Sequence, residues 1–172
     1  MKYYTIVNNS LLTAYNEKAL SRFYENVFAL PSDYEVGKYI VKDNTLVLNQ
    51  NFEIEKLKTL KDEKLTLALR MAYNAEENGS VTFKNASFET NTSNISKLTS
   101  QYNMQNIGAI DTVLWLSKDD IQVELNQNEI LQLLSTISDY TGALWNVKYL
   151  SIKEQILNAK TTDELESIEI KY

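Results

Sequence analysis

Two adjacent carboxylates, Asp119 and Asp120, are the residues whose type and spacing could most readily do chemistry. Neighbouring acids in a loop can bind a hard cation through their oxygens or share a proton. Asp is also common in tight turns, and this pair stands between two apolar runs that alternate like strands. We therefore interpret it as a turn. The same structural interpretation applies to the acid pairs on predicted helix surface, Glu76-Glu77 and Asp62-Glu63.

The chain contains neither His nor Cys. It therefore cannot build an imidazole or thiolate metal site, a Cys nucleophile, a Ser-His-Asp triad or a His general base. Carboxylate, Lys, Tyr and Ser-Lys chemistry remain, as do cation sites made of oxygen ligands. The four glycines, at positions 37, 79, 108 and 142, form no nucleotide-binding signature. No residue stands out as a catalytic group or a metal ligand, and we expect neither of these and no cofactor.

The composition of the chain limits the classes of partner that it can bind. The 172 residues carry a net charge of −6, which disfavours nucleic acid because such binding relies on clustered Lys and Arg. Hydrophobic residues make up 44% of the chain, enough to form a core. No apolar run has the length of a membrane span, and the first residues do not resemble a signal peptide. We expect a folded, unexported chain with no nucleic-acid partner and no membrane insertion.

Residues 1–50 predict a small β-rich module with one helix. Residues 2–7 are β-branched and aromatic, which is typical of a strand. Asn16 is a predicted N-cap for a helix that continues to Phe28. A two-residue turn at Asp43-Asn44 then predicts a hairpin that pairs Val41 with Leu46 and, further along, Tyr39 with Leu48.

A long helix follows, with Asn51 as its predicted cap and Gly79 just past its end. Its first part is Lys-rich and has a thin apolar stripe. We interpret Lys56 to Lys64 as a solvated connector and place the domain boundary there. The predicted organisation is a module at 1–50, a connecting helix at 51–64 and a C-terminal domain at 65–172.

Two hairpins are predicted in the C-terminal domain. An Asn85-Ala86 turn would place Phe83 opposite Phe88 and give the hairpin one apolar face. A two-residue turn around Asp119 would close the second hairpin, with Trp115 on the face opposite to the main apolar one. That apolar face is predicted to contain Leu114, Leu116, Ile121, Val123 and Leu125.

Helices are predicted to cover these hairpins. A helix capped within residues 90–96 carries Ile95, Leu98 and Tyr102. Asn126 caps a helix that runs to Ala159, about 45 Å at 1.5 Å per residue. Residues 161–164 have the form of a capping box and open a last short helix. The predicted fold class is α+β: a small N-terminal β-rich module, a connecting helix, and two β-hairpins packed on long helices.

Two tryptophans are candidate binding anchors. Trp115 and Trp145 are of the type that dominates interface hot spots, but packing in the core is the interpretation we favour. The triplets that begin at Asn85 and Asn94 match the glycosylation pattern. Without a signal peptide we interpret both matches as chance.

The segment "AYNAEENGSVTFKNASFETNTSNISKL", a Trp-containing hairpin, a long helix and "ILNAKTTDELESIEI" follow one another in the C-terminal part. In this order they resemble a domain of unknown function at the C-terminal end of many bacteriophage and prophage tail proteins. The resemblance covers about residues 65–172. Ser80 departs from the pattern, because family members commonly have a second glycine there. These shared features are structural and include no catalytic residue.

The resemblance implies a non-enzymatic tail or tail-fibre-associated protein that acts by binding other tail proteins or a second copy of itself. It would lie in the cytoplasm of the bacterial host during assembly, or in the virion tail. One alternative is a transient tail-fibre assembly chaperone. A second is a carboxylate-dependent glycan-cleaving tail enzyme, which needs two acids roughly 5 to 9 Å apart in a cleft.

Overall fold

A computed structural model describes residues 2–15 and 17–172 and divides the chain into two compact units. The N-terminal unit is Met1–Thr59 and the C-terminal unit is Leu60–Tyr172. The division falls inside the segment predicted to connect two domains, residues 51–64. The chain contains α-helices and antiparallel two- and three-stranded sheets, so the predicted α+β class is confirmed.

The N-terminal unit is built on a three-stranded antiparallel sheet in the order β2-β1-β3. Its strands are β1 (Tyr3–Val7), β2 (Ser10–Ala14) and β3 (Phe28–Ala29). Asn8 and Asn9 have φ angles of 50° and 60°, as a two-residue hairpin turn requires, and Asn tolerates this conformation better than most residues. The turn predicted to end β1 therefore also begins β2, which the sequence reading missed.

The helix predicted from Asn16 to Phe28 is wrong beyond its first turn. Helix α1 covers only Glu17–Ser21, and the proposed cap at Asn16 lies outside the described residues. The amides of Phe23 and Tyr24 both bond to the carbonyl of Leu20, which turns the chain. Phe28 then pairs with Tyr4 across β3 and β1, and their rings lie 5.6 Å apart. Sheet pairing and this ring contact outweigh the local helical pattern.

The second hairpin of the N-terminal unit has the predicted register. Strands β4 (Tyr39–Lys42) and β5 (Thr45–Leu48) pair Val41 with Leu46 and Tyr39 with Leu48. Asp43 and Asn44 form the turn, both at positive φ.

Helix α2 (Phe52–Glu77) follows, and three lysines in the segment predicted as a solvated connector make contacts there. In the N-terminal unit, Lys56 forms a 2.7 Å ion pair with Glu35. In the C-terminal unit, Lys61 Nζ donates to the carbonyl of Leu157 at 2.7 Å. Lys64 donates likewise to the carbonyls of Leu165 and Glu166. Each of these three lysines is therefore tied to its own unit.

The first hairpin of the C-terminal unit is shifted by one residue from the prediction. Strands β6 (Ser80–Phe83) and β7 (Ala86–Glu89) are joined by Lys84 and Asn85, both at positive φ. Phe83 therefore faces Ala86, while Phe88 faces Val81. The two Phe rings still meet diagonally, with centroids 6.2 Å apart. Asn is one of the residues that best tolerate positive φ, so it takes the second turn position and keeps Ala86 in the strand.

The second hairpin presents a different face to the core from the one predicted. In β8 (Thr112–Leu116) and β9 (Gln122–Asn126), Trp115 pairs with Val123 and Val113 pairs with Leu125. A three-residue loop joins Ser117 to Ile121, whose backbones are hydrogen-bonded at 2.9 Å. An odd loop length shifts the register by one residue relative to a two-residue turn, so Leu114 and Leu116 point away from Val123 and Leu125.

Helices complete the C-terminal unit. Helix α3 (Thr92–Asn106) has Asn91 as its N-cap, and α4 (Gln127–Gly142) begins with the predicted cap at Asn126, completed by Glu129. The predicted single helix continues through wider π-type turns at Ala143–Tyr149 into α5 (Leu150–Asn158). Thr161 caps α6 (Thr162–Ser167), but the Glu164 carboxylate accepts from the Lys160 amide rather than completing a capping box.

The main core lies in the C-terminal unit, where both hairpins meet α3 and α4. Trp115 and Phe83 pack against it from its margin. Its buried members are Ala86, Phe88, Leu98, Val123, Leu125, Ile130, Leu133 and Ile137. No helix in the described residues is long and apolar enough to cross a membrane.

Candidate protein-binding surface

Asp119 and Asp120, the acid pair singled out in the sequence, lie in the loop between β8 and β9. Asp119 Oδ1 accepts hydrogen bonds from the Ser117 hydroxyl at 2.6 Å and from the Ser87 amide at 3.0 Å. These two donors, the hydroxyl first, hold the pKa of Asp119 below its ordinary value. Asp120 adopts a φ of 58°, which closes the loop. The position of Asp119 and Asp120 is that of turn residues.

The other predicted acids are spread over helix α2. Glu76 Oε2 accepts from the indole of Trp145 at 3.0 Å, while Glu77, Asp62 and Glu63 are exposed. Across residues 2–15 and 17–172, no group of three or more Asp or Glu side chains is placed to hold a metal ion.

Both tryptophans make packing contacts. The Trp145 ring meets Tyr73 edge-on at 4.9 Å and Tyr149 at 5.3 Å. Trp115 packs against the core beside Val123. Both rings are partly buried, and neither stands out as an exposed anchor.

The exposed apolar residues of the second hairpin are the ones that the sequence reading assigned to the core. Leu114 is 63% exposed and Leu116 is 58% exposed. They share one face of the hairpin with the residues opposite them, Glu124 and Gln122. Thr112 lies on the same face, and its hydroxyl donates to Glu124 at 2.7 Å. We name this set of five residues the leucine face.

A cleft of about 210 Å³ adjoins the leucine face at Leu116. Strand β8 forms one side, and the end of β7 with the start of α3 forms the other. Lys97 and Lys118 supply positive charge at this cleft, and Glu89 supplies one negative charge. The Lys118 ammonium also donates to the carbonyl of Asn78 at 3.1 Å. An apolar centre with a polar and charged margin is the usual anatomy of a protein interface.

The loop fixes the leucine face in place. The Lys118 amide donates to the carbonyl of Ser87 at 2.8 Å, and the Ser87 amide donates back to Asp119. Both backbone groups of Ser87 in β7 are thereby bound to the loop that ends β8. A surface held in this way loses little conformational entropy on binding.

The sequence did not predict this surface, because a two-residue turn was expected around Asp119 and the loop has three residues. The signal was Ser117 two residues before Asp119, since a hydroxyl and a carboxylate at that spacing can close a three-residue loop. Counting three loop residues puts Leu114 and Leu116 on the outside.

Comparison with known proteins gives no match of any kind. No protein-family model, no curated protein and no solved structure is significantly similar to this chain. The resemblance to a phage tail domain therefore stays a prediction from the quoted segments.

Proposed function

We propose that this protein is a non-enzymatic structural or accessory protein of a bacteriophage or prophage tail, and that it binds tail or tail-fibre proteins through the leucine face. Two things support the proposal: the resemblance of residues 65–172 to a tail-protein domain, and the outward position of Leu114 and Leu116. The second observation carries the binding function, because it identifies a surface.

Fully burying an exposed Leu side chain contributes roughly 1.5 to 3 kcal/mol. A partner that covers Leu114 and Leu116 would gain part of this free energy from each. Glu124 and Lys118 at the margin would add orientation and specificity more than affinity.

The partner is a protein with an apolar patch complementary to the leucine face and with acidic groups near Lys97 and Lys118. A virion component would stay bound to it in the finished tail. A tail-fibre chaperone would use the same surface and then dissociate. In both cases the protein would lie in the host cytoplasm during assembly.

Mass spectrometry of purified phage particles tests the proposal and separates its two forms. A virion component is expected at a fixed ratio to the major tail proteins. A chaperone is expected on incomplete tails isolated from the lysate and not in finished particles. Recovery with neither finished particles nor incomplete tails would contradict the proposal.

A further inference from the structure

The N-terminal unit contains a cavity of about 630 Å³. Pockets that bind small molecules have volumes of roughly 300 to 1,000 Å³, and the volume of this cavity lies within that range. It lies between the three-stranded sheet and the tip of the β4–β5 hairpin. The lining residues are Tyr4, Ile6, Val7, Asn8, Asn26, Phe28, Asn44, Thr45 and Leu46.

Aromatic and aliphatic side chains form one wall of the cavity. Tyr4 and Phe28 are cross-strand partners in β1 and β3, so they share one face of the sheet, and Ile6 lies two residues further along that face. The rings are 5.6 Å apart and tilted by 35°. Phe28 is 53% exposed although it belongs to the sheet. The sheet therefore offers the exposed ring of Phe28 beside the half-buried ring of Tyr4.

Amide side chains supply the polar part of the lining. Asn8 and Asn26 make no side-chain hydrogen bond to any other described residue. The Asn44 side-chain carbonyl accepts from the Asn9 amide at 3.0 Å, which leaves its NH₂ group available. Each amide side chain offers two donors and an acceptor. The cavity thus has neutral hydrogen-bonding groups in both senses.

Two hairpin tips hold this arrangement together. The Asn9 side chain accepts from the Asn44 amide at 3.2 Å, reciprocating the bond that Asn44 accepts from Asn9. These bonds join the β1–β2 turn to the β4–β5 turn. The polar and aromatic sides of the cavity are therefore held in one geometry before a ligand binds.

We propose that this cavity binds a neutral saccharide unit. The negative face of an aromatic ring attracts the weakly positive C–H groups of a pyranose ring. Tyr4 and Phe28 supply such rings in the cavity wall. Hydroxyl groups of a sugar both donate and accept, which matches the amides of Asn8, Asn26 and Asn44. No lining residue is charged, so an anionic ligand would find no compensating cation. This inference does not depend on the proposed tail function.

Titration of the ¹⁵N-labelled full chain with simple glycosides tests the proposal by NMR. The probes are the methyl glycosides of glucose, galactose and N-acetylglucosamine, which mimic a sugar within a glycan, together with the free reducing sugars. Methyl glucuronide is the matched anionic probe. We expect at least one neutral methyl glycoside to shift the side-chain NH₂ signals of Asn8, Asn26 or Asn44. A shift from the free sugar alone would assign the site to a soluble sugar instead of a glycan.

Variants locate the binding. Phe28→Ala and Asn26→Ala are each expected to weaken binding by about tenfold. Phe23→Ala is the control, because this ring is 77% exposed and does not line the cavity. Asn26 lies outside the strands, so Asn26→Ala keeps the test valid if Phe28→Ala disturbs β3. The proposal is overturned if neither a neutral glycoside nor a free neutral sugar binds, if glucuronide binds equally well, or if neither cavity variant weakens binding.

Discussion

The Tyr140 hydroxyl donates a hydrogen bond to the carbonyl oxygen of Ala75 at 3.0 Å, so α4 caps the last turn of α2. The buried Thr90 hydroxyl does the same for the carbonyl of Glu76 at 2.7 Å. The last four carbonyls of a helix lack partners within it, which makes such caps valuable. Gly79 lies close to both capping hydroxyl groups. A Cβ at this position would lie 2.5 Å from the Tyr140 hydroxyl and 2.7 Å from the Thr90 hydroxyl.

Gly79→Ala is expected to lower the free energy of unfolding by about 1 to 3 kcal/mol, because the methyl group forces both capping hydroxyls away. The control is Gly142→Ala. Gly142 is helical, and the nearest atom to an added Cβ is 4.0 Å away, so this change should stabilise by about 0.5 to 1 kcal/mol. Urea unfolding of both variants measures the difference. Equal stability of the two would contradict the close packing around Gly79.

Phe88→Ala is expected to destabilise the protein by about 3 to 5 kcal/mol, since Phe88 is only 2% exposed within the main core. Leu114→Ala truncates an exposed residue of the same unit and should change stability by no more than about 0.5 kcal/mol. Chemical denaturation of the two variants decides between a core and a surface position. A large loss for Leu114→Ala would show that the leucine face is covered within the chain.

Acid should weaken the link between Lys84 and Glu129. The Lys84 ammonium donates to Glu129 at 2.7 Å, and this bond, followed by the Asn126 amide, holds the pKa of Glu129 below its ordinary value. A folded-state pKa below the unfolded one gives stability that is present above the unfolded value. That stability is lost as the pH falls through the folded-state pKa.

Carboxyl-detected NMR titration should therefore place the pKa of Glu129 below 4.5, its ordinary value. Lys84→Met should raise this pKa towards that value. Thermal unfolding is measured from pH 7 down to pH 3. The unfolding temperature of Glu129→Gln should fall less over this range than that of the parent chain. A Glu129 pKa at or above 4.5 would refute the contact.

Limited trypsin digestion should cut α2 first after Lys58, which is exposed and lies next to the division at Thr59 and Leu60. Cuts after Lys61 and Lys64 should be slower, because both ammonium groups donate to carbonyls in the C-terminal unit. Mass spectrometry should then detect a resistant fragment that begins at Thr59. A stable fragment that begins at Leu65 would show that these contacts do not protect α2.

Local chemistry predicted the parts of the fold that depend on neighbours in sequence. Asp43-Asn44 fixed the β4–β5 register because both turn positions tolerate positive φ. Asn126 predicted the start of α4 because its capping bond to the Glu129 amide involves only four consecutive residues. The β6–β7 register was wrong by one residue because Asn85 can occupy either turn position.

The features that long-range contacts decide were not predictable in the same way. Phe28 leaves a helical pattern because it pairs with Tyr4, and Thr90 caps a helix 14 residues earlier in the chain. The leucine face depends on whether the loop after Ser117 has two or three residues. A contact from the other hairpin also stabilises this loop, because the Ser87 amide donates a hydrogen bond to Asp119. No periodicity within β8 and β9 contains this information.

A double charge substitution tests whether the leucine face binds tail proteins. The tagged chain is co-expressed with the tail genes of the phage or prophage that the proposed function requires, and the tail and tail-fibre proteins that co-purify are quantified by mass spectrometry. The test variant is Leu114→Lys with Leu116→Lys, and the control is Leu131→Lys, an exposed apolar position on α4. We predict that the parent chain and the control recover the same tail proteins, while the double variant, still folded by circular dichroism, recovers less than about a tenth as much. Equal recovery by the double variant, or no tail protein with the parent chain, would rule out binding of tail proteins through the leucine face.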